Sequence, residues 1–406
     1  MEPHGHYIDG EFVADGDTFE STNPATGETL AAFAEGGPGE VERAVAAAAD
    51  AFEEWRARSR IERAEYLWDV YAALRERTDE LGEIVSRESG KEIGEGRADV
   101  TEAAHMVEWA AGDARHPKGE VVPSEIAAKD SYMRRNPRGV VGCITPWNFP
   151  VAIPFWHMAI TLVEGNTVVW KPAEQTPWCA HAVAELLDDA GIPPGVVNVV
   201  FGFGEAGKAV VDDDRVSTVV FTGSAEVGHE IAGKLGGEPG RTACCEMGGK
   251  NAVVVTDEAD LDIAVPVAVM SSFKTTGQRC VSSERLIVHA EVYDEFKERF
   301  VDLAGRVSVG DPLAEDTFMG PLADAGQVEK FHRYNDLARE EGATVLVDRA
   351  ELDDGEIPAG GDGGHWAGPF VYEIEYGDHR CLREEVFGPH VALMEYDGPV
   401  ERAVEI

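Results

Sequence analysis

The sequence predicts an α/β protein with parallel strands, and three observations support this class. From about residue 139 onward, short apolar runs alternate with segments of helical character. A second series of the same kind begins near Asn251. Such alternation is typical of a parallel sheet covered by helices on both faces. The chain has 406 residues, which is long for one core, so we expect two domains.

The first 90 residues are predicted to form a hairpin and then helices. Asp9-Gly10 stands between two short apolar runs, which is a hairpin signal. Apolar residues then recur at helical spacing from Val41 to Trp55 and from Ala64 to Leu74, and a third helix over about 81–88 should end near Gly90.

The two βα series give the domain boundaries. In the first, we predict a helix over Pro177–Ala190 and strands at Val140–Ile144, Thr167–Trp170, Val196–Phe201 and Ser217–Phe221. In the second, we predict a helix over Leu261–Phe273 and strands at Ala252–Thr256 and Arg285–Val288. The paired glycines Gly248-Gly249 separate the series, so we expect one domain over 1–248 and another over 249–406.

The charge of the chain restricts its partners. It has 76 acidic and 35 basic residues, a formal net charge of -41, and the carboxylates are dispersed. Dispersed acidic surfaces stay soluble where salt screens their self-repulsion, so we predict an organism with a salt-rich cytoplasm. An acidic protein from an ordinary cytoplasm is the alternative. Nucleic acids and anionic membranes are poor partners for this surface.

The cysteines indicate a reducing compartment. The chain has six, without a C-x-x-C pair and without a His/Cys cluster at zinc spacing, so we expect free thiols and no metal site. The N-terminus lacks the basic and apolar regions of a signal peptide. The apolar stretch from Val151 to Val163 is too short to span a bilayer. These features predict a cytoplasmic protein that does not enter membranes.

Three separate motifs supply a thiol, a carboxylate and an amide. Cys280 follows Thr-Thr-Gly-Gln-Arg after a predicted helix, where nearby N–H groups can stabilise a thiolate and an oxyanion. Glu246 ends a short strand and can activate water, and Asn148 can donate to an oxyanion. Each has an ordinary alternative, namely a buried apolar cysteine, a solvated strand end and a turn asparagine.

Cofactor signals in the first series are individually weaker. Gly223-Ser224 follows a strand and opens a helix, a place that suits a pyrophosphate, although it is not the G-x-G-x-x-G fingerprint. Lys171 and Glu174 lie at the end of another strand, where open α/β sheets bind ligands, and both can bind ribose hydroxyls. The alternative for each is an exposed charge on a loop.

Together these motifs resemble the NAD(P)-dependent aldehyde dehydrogenase superfamily. They occur in the family's order and spacing over essentially the whole chain, as Pro146-Trp147-Asn148-Phe149-Pro150, Lys171-Pro172-Ala173-Glu174, Phe221-Thr222-Gly223-Ser224, Glu246-Met247-Gly248-Gly249-Lys250, Gly277-Gln278-Arg279-Cys280 and Glu385-Val386-Phe387-Gly388-Pro389. The resemblance implies a Rossmann-type cofactor domain, an α/β catalytic domain and a small β oligomerisation element, here over about 120–138. It also implies a homodimer or homotetramer.

The resemblance further implies a role for each matching residue. Cys280 is expected to be the nucleophile, Glu246 the general base and Asn148 the oxyanion ligand. The positions expected to contact the cofactor are Ile144, Thr145, Pro146, Trp147, Lys171, Glu174, Gly223, Ser224, Glu385 and Phe387. The expected cofactor is NAD, since the Glu174 charge would repel a 2′-phosphate, although NADP stays possible.

The sequence departs from the family pattern in two places. Cys244-Cys245 precedes the base where small or β-branched residues are usual, and we assign this pair no role. Family members also continue for several tens of residues beyond the equivalent of Ile406, so we expect that the C-terminal part is missing. That part finishes the catalytic domain and supplies a substrate-anchoring loop in the family.

The predicted activity is oxidation of an aldehyde or semialdehyde to a carboxylic acid, through a thioester on Cys280 that water hydrolyses. One alternative is a semialdehyde dehydrogenase that transfers the acyl group to coenzyme A, but in that branch the base position is not usually a glutamate. The other is a catalytically inactive nucleotide-binding relative, which the short C-terminus favours and the intact Cys280, Glu246 and Asn148 disfavour. The sequence does not identify the aldehyde.

Overall fold

A computed structural model describes residues 2–353 and 355–406. Its strands are β1 (His6–Ile8), β2 (Glu11–Val13), β3 (Thr18–Thr22), β4 (Thr29–Ala34), β5 (Gly119–Val122), β6 (Ser131–Arg134), β7 (Val140–Ile144), β8 (Thr167–Lys171), β9 (Val197–Val199), β10 (Val216–Gly223), β11 (Thr242–Met247), β12 (Asn251–Val255), β13 (Ser283–His289), β14 (Thr344–Asp348), β15 (Phe370–Glu373) and β16 (His390–Tyr396).

Its α-helices are α1 (Pro38–Ala57), α2 (Arg60–Glu76), α3 (Thr78–Ser89), α4 (Ile93–Asp113), α5 (Ala152–Val163), α6 (Pro177–Asp189), α7 (Gly204–Asp212), α8 (Ala225–Leu235), α9 (Leu261–Phe273), α10 (Ala290–Gly305), α11 (Ala325–Glu340), α12 (Arg380–Arg383) and α13 (Glu401–Glu405). Within the described residues, none of them is long and apolar enough to cross a membrane.

The chain forms two compact units. The first comprises 1–21, 31–81 and 97–246, and the second comprises 22–30, 82–96 and 247–406. Two short segments near the N-terminus therefore pack with the C-terminal part of the chain. One of them, 82–96, contains the end of α3 and the start of α4.

The first unit is built on a seven-stranded sheet. Its strand order is β11-β10-β7-β8-β9-β1-β2. The central strands β10, β7, β8 and β9 are parallel, while β1 is antiparallel to both β9 and β2. Valines and other apolar residues of these strands pack against the buried faces of α1, α7 and α8 in one core cluster. The sheet places the carboxyl ends of its parallel strands along one edge, as in other open α/β sheets.

The second unit has a five-stranded sheet with both faces covered. The order is β12-β13-β16-β15-β14, and only β14 is antiparallel to its neighbour. Side chains of β13 alternate between two cores: Leu286 and Val288 pack with α9 and α10, while Ile287 packs with α11. A strand buried on both faces needs apolar residues at successive positions, which explains the continuous apolar run of β13 and β16.

The N-terminal hairpin forms where the sequence indicates it. β1 and β2 pair with a two-residue turn in which Asp9 (φ 53) and Gly10 (φ 80) are both left-handed. That conformation matches the strand twist and is the reason for the Asp-Gly preference. The predicted strand over 196–201 is shorter in the structure, where β9 covers only Val197–Val199.

The helix α4 was not predicted from the sequence. Its first turn contains Gly94 and Gly96, which disfavour helix by about 1 kcal/mol each relative to alanine. The helix nevertheless begins there, because the Glu92 carboxylate accepts the N–H of Gly94 at 2.6 Å and that of Glu95 at 3.2 Å. Such a side chain satisfies N–H groups that the helix itself leaves without partners.

Candidate active site

Three predicted cofactor residues end adjacent strands of the first unit. Ile144 ends β7, Lys171 ends β8 and Gly223 ends β10, and these strands are neighbours in the sheet. The register pairs Ile144 with Lys171 and with Phe221. The structure therefore brings these positions together at the sheet edge where open α/β proteins bind ligands.

The Asn148 turn is fixed at both of its ends. On its N-terminal side, the Thr145 N–H donates to the Lys171 carbonyl at 3.2 Å, and the Trp170 indole donates to the Thr145 hydroxyl at 2.8 Å. On its C-terminal side, the Ala152 N–H donates to the Asp99 carboxylate at 2.6 Å at the start of α5. Asn148 is only 3% exposed, so the turn presents a buried amide in a fixed place.

The first unit also holds charged groups at the predicted cofactor positions. The Lys171 ammonium lies 3.0 Å from the Glu174 carboxylate, and the Lys171 side chain is 7% exposed against 35% for Glu174. Ser224 caps α8 by accepting the Val227 N–H at 3.4 Å, so the N-terminus of this helix follows β10 directly. An ammonium, a carboxylate and a helix N-terminus suit the ribose and pyrophosphate groups of NAD(P).

Glu246 lies near the end of β11, the edge strand of the seven-stranded sheet, and is exposed. It follows Cys244, which is exposed, and Cys245, whose thiol donates to the Gly228 carbonyl at 3.5 Å. Burial, and then the neighbouring Cys244 and Glu246, raise the pKa of the Cys245 thiol. Cys245 is therefore held as a neutral thiol, which fits a packing role for that residue.

Cys280 follows an unusual turn in the second unit. Thr275 and Thr276 have φ angles of 52° and 56°, and Gly277 has a φ of 70°. A side chain at Gly277 would place its Cβ 2.3 Å from the Gly388 carbonyl oxygen, so only glycine fits there. Cys280 is partly exposed as a residue.

The backbone of Cys280 is anchored after the turn as well. The Asn251 side-chain amide donates to the Cys280 carbonyl at 2.6 Å and to the Ser282 carbonyl at 3.2 Å. Asn251 opens β12, so the sheet of the second unit fixes the Cys280 segment directly.

The predicted cofactor residues Glu385 and Phe387 lie on a second constrained loop of the same unit. The Gly249 N–H donates to the Glu385 carboxylate at 3.1 Å, and a Cβ at Gly248 would lie 2.1 Å from that carboxylate. Phe387 is left-handed, with a φ of 62°. Burial, and then the charge of Glu284, raise the pKa of Glu385.

Glu284 organises this loop and was missed by the sequence analysis. Its carboxylate accepts the N–H of Val386 and of Phe387 and pairs with the Lys250 ammonium. The side chains of Glu284 and Lys250 are 3% and 5% exposed, which makes this a buried ion pair. Glu284 is the second residue of β13 and lies before the apolar residues of that strand, so the available signal was only a charge next to a predicted buried strand, where buried charges are rare unless they are paired.

The two units hold different parts of the predicted set. Unit one contains Asn148, Glu246 and the cofactor positions Ile144, Thr145, Pro146, Trp147, Lys171, Glu174, Gly223 and Ser224. Unit two contains Cys280, Glu385 and Phe387. Among the residues that the structure describes, there is no cluster of three or more His, Cys, Asp or Glu side chains that could hold a metal ion.

Comparison with known proteins identifies close relatives. A sequence model of a protein family, described as "Aldehyde dehydrogenase family", matches residues 12–406. The α-ketoglutaric semialdehyde dehydrogenase of Bacillus subtilis (strain 168) is 36% identical over 405 residues, which are 99% of this chain and 82% of that protein.

Solved structures of similar proteins contain nicotinamide cofactors. A betaine aldehyde dehydrogenase from Staphylococcus aureus in complex with NAD⁺ has a TM-score of 0.95 at 30% identity, over 99% of this chain and 80% of that one. A 3,6-anhydro-L-galactose dehydrogenase in complex with NADP has a TM-score of 0.94 at 32% identity, over 100% of this chain and 84% of that one. These matches confirm the predicted fold class.

Proposed function

The chain belongs to the aldehyde dehydrogenase family and is an NAD(P)-dependent aldehyde dehydrogenase, and we propose that it forms the carboxylic acid through a thioester on Cys280. The observation that carries this proposal is the setting of Cys280. Cys280 is a partly exposed residue at the end of a tightly fixed turn, whereas Cys143, Cys179 and Cys381 are buried. Burial raises the pKa of the Cys143 thiol and raises that of Cys381 to about 12, so these thiols stay protonated.

In the proposed reaction, the Cys280 thiolate adds to the carbonyl carbon of the aldehyde. The Asn148 amide and the Cys280 N–H donate to the oxyanion that forms, a contribution of about 3–4 kcal/mol per donor in other enzymes. NAD(P), when bound, accepts the hydride that leaves this carbon, which turns the adduct into a thioester. Glu246 then removes a proton from water, the hydroxide attacks the thioester, and the acid leaves with release of the Cys280 thiolate.

Glu246 distinguishes this reaction from acyl transfer to coenzyme A. A carboxylate that can activate water favours hydrolysis, and the exposed position of Glu246 at a strand end leaves it accessible to water.

The substrate we propose is a semialdehyde that carries a carboxylate, because the Bacillus subtilis relative acts on α-ketoglutaric semialdehyde. A screen of this compound against betaine aldehyde and propionaldehyde, in molar KCl, tests that substrate class.

Two variants test the mechanism. Glu246→Gln should release one NADH per site in a burst and then turn over slowly, because only deacylation is impaired. Cys280→Ser should show neither burst nor turnover while it still binds NADH, measured by fluorescence. Cys244→Ser, a substitution of the exposed neighbour of Cys245, serves as the control and should behave as wild type. Aldehyde oxidation by Cys280→Ser at a substantial rate would exclude the covalent mechanism.

The cofactor preference follows from Glu174. Its carboxylate is held by Lys171 at the strand end and can accept both hydroxyls of the adenosine ribose. The same negative charge disfavours a 2′-phosphate, so NAD is the preferred cofactor. Ala173, next to it, offers no hydroxyl to a phosphate.

The protein acts as a homo-oligomer in this proposal. The hairpin of β5 and β6 exposes large apolar side chains, with Val121 84%, Tyr132 77% and Ile126 60% exposed. A surface of this kind is typical of a contact with another protein. Light scattering of wild type against Tyr132→Glu tests whether this hairpin joins subunits.

The net charge of -41 supports a cytoplasm rich in salt as the working environment. Self-repulsion acts over a Debye length of about 10 Å at 0.1 M salt and about 3 Å at 1 M. The melting temperature and the activity should therefore rise with KCl into the molar range. A melting temperature that stays flat or falls along this series would contradict the proposed environment.

A further inference from the structure

The chain is strained immediately before the proposed nucleophile. Thr275 and Thr276 both adopt left-handed angles (φ 52°, ψ 31° and φ 56°, ψ 33°), and Gly277 continues with a φ of 70°. Threonine is β-branched, and such a residue in this region costs of the order of 1–3 kcal/mol. A turn of this kind persists only where its surroundings hold it.

Glu95 holds the first strained residue. Its carboxylate accepts the Thr275 N–H at 2.8 Å and the Thr275 hydroxyl at 2.9 Å, and it lies 3.8 Å from the Arg279 guanidinium. Thr275 is 3% exposed, so these bonds are shielded from water. Hydrogen bonds to a carboxylate are about twice as strong as those between neutral groups.

A second carboxylate at the same helix end, that of Glu92, binds Lys274, the residue before Thr275. The Glu92 carboxylate lies 2.9 Å from the Lys274 ammonium, which also sits 4.6 Å above the Phe318 ring. Glu92 and Glu95 both lie at the N-terminus of α4, where the positive end of a 21-residue helix stabilises carboxylates. Lys274 and Thr275 are thus tied to one rigid helix end.

Hydrogen bonds between neutral groups fix the residues between Thr275 and Cys280. The Thr276 hydroxyl donates to the Gly320 carbonyl at 2.9 Å. The Gln278 N–H donates to the Thr275 carbonyl at 2.9 Å, and the Gln278 side chain accepts the Ala323 N–H at 3.0 Å. Thr275, by contrast, is anchored through its backbone N–H to a charged side chain.

We propose that Glu95 is a positioning residue for the reaction: it keeps Thr275 left-handed and thereby fixes the direction in which the chain presents the Cys280 thiol. This inference rests on the proposed role of Cys280 as nucleophile. Glu95 acts through the turn, and no chemical step passes through its carboxylate.

The test compares Glu95→Ala in two backgrounds. In the wild-type background, kcat and the rate of Cys280 alkylation by iodoacetamide should each fall about 10- to 100-fold, since a misplacement near 1 Å can cost about 100-fold. The KM for NAD should stay within about twofold, because the cofactor positions keep their own anchors. Glu83→Ala is the control, since this exposed residue pairs with Arg87 on the surface of α3.

In a Thr275→Gly background, Glu95→Ala should cost at most about threefold. Glycine adopts the left-handed region without strain, so the turn no longer depends on the carboxylate. An equal loss in both backgrounds would overturn the proposal, as would unchanged kcat and alkylation for Glu95→Ala in the wild-type background.

A milder variant decides the question if Glu95→Ala does not fold. Glu95→Gln keeps one oxygen that accepts from Thr275, so kcat should fall about 3- to 10-fold with an unchanged KM for NAD. Wild-type kcat in Glu95→Gln would also overturn the proposal. Turnover by Cys280→Ser, with Glu95 intact, would contradict the proposed function itself. The failure of that function is therefore distinguishable from a failure of the role proposed for Glu95.

Discussion

The two units constrain the predicted site residues that each contains by different physical means. In the first, the predicted residues follow the ends of relaxed parallel strands, and no described non-glycine residue between 97 and 246 has a positive φ. In the second, Thr275, Thr276 and Phe387 are all left-handed, and their turns are held by the carboxylates of Glu95 and Glu284. The predicted residues of the first unit are placed by regular strands, whereas those of the second unit depend on individual charged side chains.

This difference predicts unequal sensitivity to substitution, with the largest effect at Glu284. Glu284→Ala leaves the buried Lys250 ammonium without its carboxylate and two N–H groups without an acceptor. The free energy of unfolding should fall by about 3–5 kcal/mol, measured by urea denaturation. Glu174→Ala in the first unit is the matched comparison and should cost at most about 1 kcal/mol, because its ion pair is partly exposed.

A double variant sharpens the same comparison. Glu284→Leu with Lys250→Met removes both charges, so most of the lost stability should return. The N–H groups of Val386 and Phe387 would still lack their acceptor, so NADH binding should stay weaker than in wild type. Similar losses for Glu284→Ala and Glu174→Ala would remove the distinction between the units.

We expect buried histidines to make the protein sensitive to acid, and three of them lie in the first unit. Burial lowers the pKa of His6, His157 and His181 to about 4 each, from an ordinary value of 6.5. Between these values the unfolded chain binds more protons than the folded one, so stability is complete above pH 6.5 and is lost as pH falls towards 4. Each histidine contributes up to about 3 kcal/mol over this window.

A single substitution tests this assignment. His181→Phe, within a cluster that includes the rings of Phe12, Phe33 and Phe201, should make the melting temperature depend less steeply on pH between 6.5 and 4.5. His116→Gln, at a side chain that is 73% exposed, should leave the slope unchanged. Parallel pH curves for wild type and His181→Phe would assign the acid sensitivity to other groups.

The smallest expected effect on stability belongs to Glu174. Glu174→Gln should change the unfolding free energy by less than about 0.5 kcal/mol, since its ion pair is at a partly exposed strand end. The preference for NAD over NADP in kcat/KM should narrow by about tenfold, which corresponds to about 1.4 kcal/mol. Glu54→Gln, on an 80% exposed side chain of α1, is the control. A wild-type preference for NADP would contradict the role given to Glu174.

The same difference explains what the sequence could and could not predict. The strand ends at Ile144, Lys171 and Gly223 were predictable because a buried strand and the turn after it are local patterns. The bond between Glu95 and Thr275 joins residues 180 positions apart, and no local pattern encodes it. The helix α4 was missed for a related reason, since Gly94 and Gly96 argue locally against the helix that Glu92 caps.

The segments 22–30 and 82–96 show the same limit at the level of domains. They pack with the second unit although, along the chain, they lie between strands of the first unit's sheet. A partition by sequence order cannot find such segments, because the apolar periodicity of α3 is the same whichever core it joins. Resemblance to a known family supplied the roles of Cys280, Glu246 and Asn148, which the residues alone left open against ordinary alternatives.

The proposed mechanism requires that the aldehyde carbon becomes a thioester on Cys280 and that Glu246 is needed for its release. The most direct measurement is peptide mass spectrometry of Glu246→Gln, quenched in acid after mixing with NAD and α-ketoglutaric semialdehyde, which belongs to the substrate class proposed above. We predict one acyl group derived from the semialdehyde per chain on the peptide that contains Cys280, at a yield equal to the NADH burst. NADH formed without any acyl group on Cys280, or an acyl group on Cys244 instead, would contradict this mechanism.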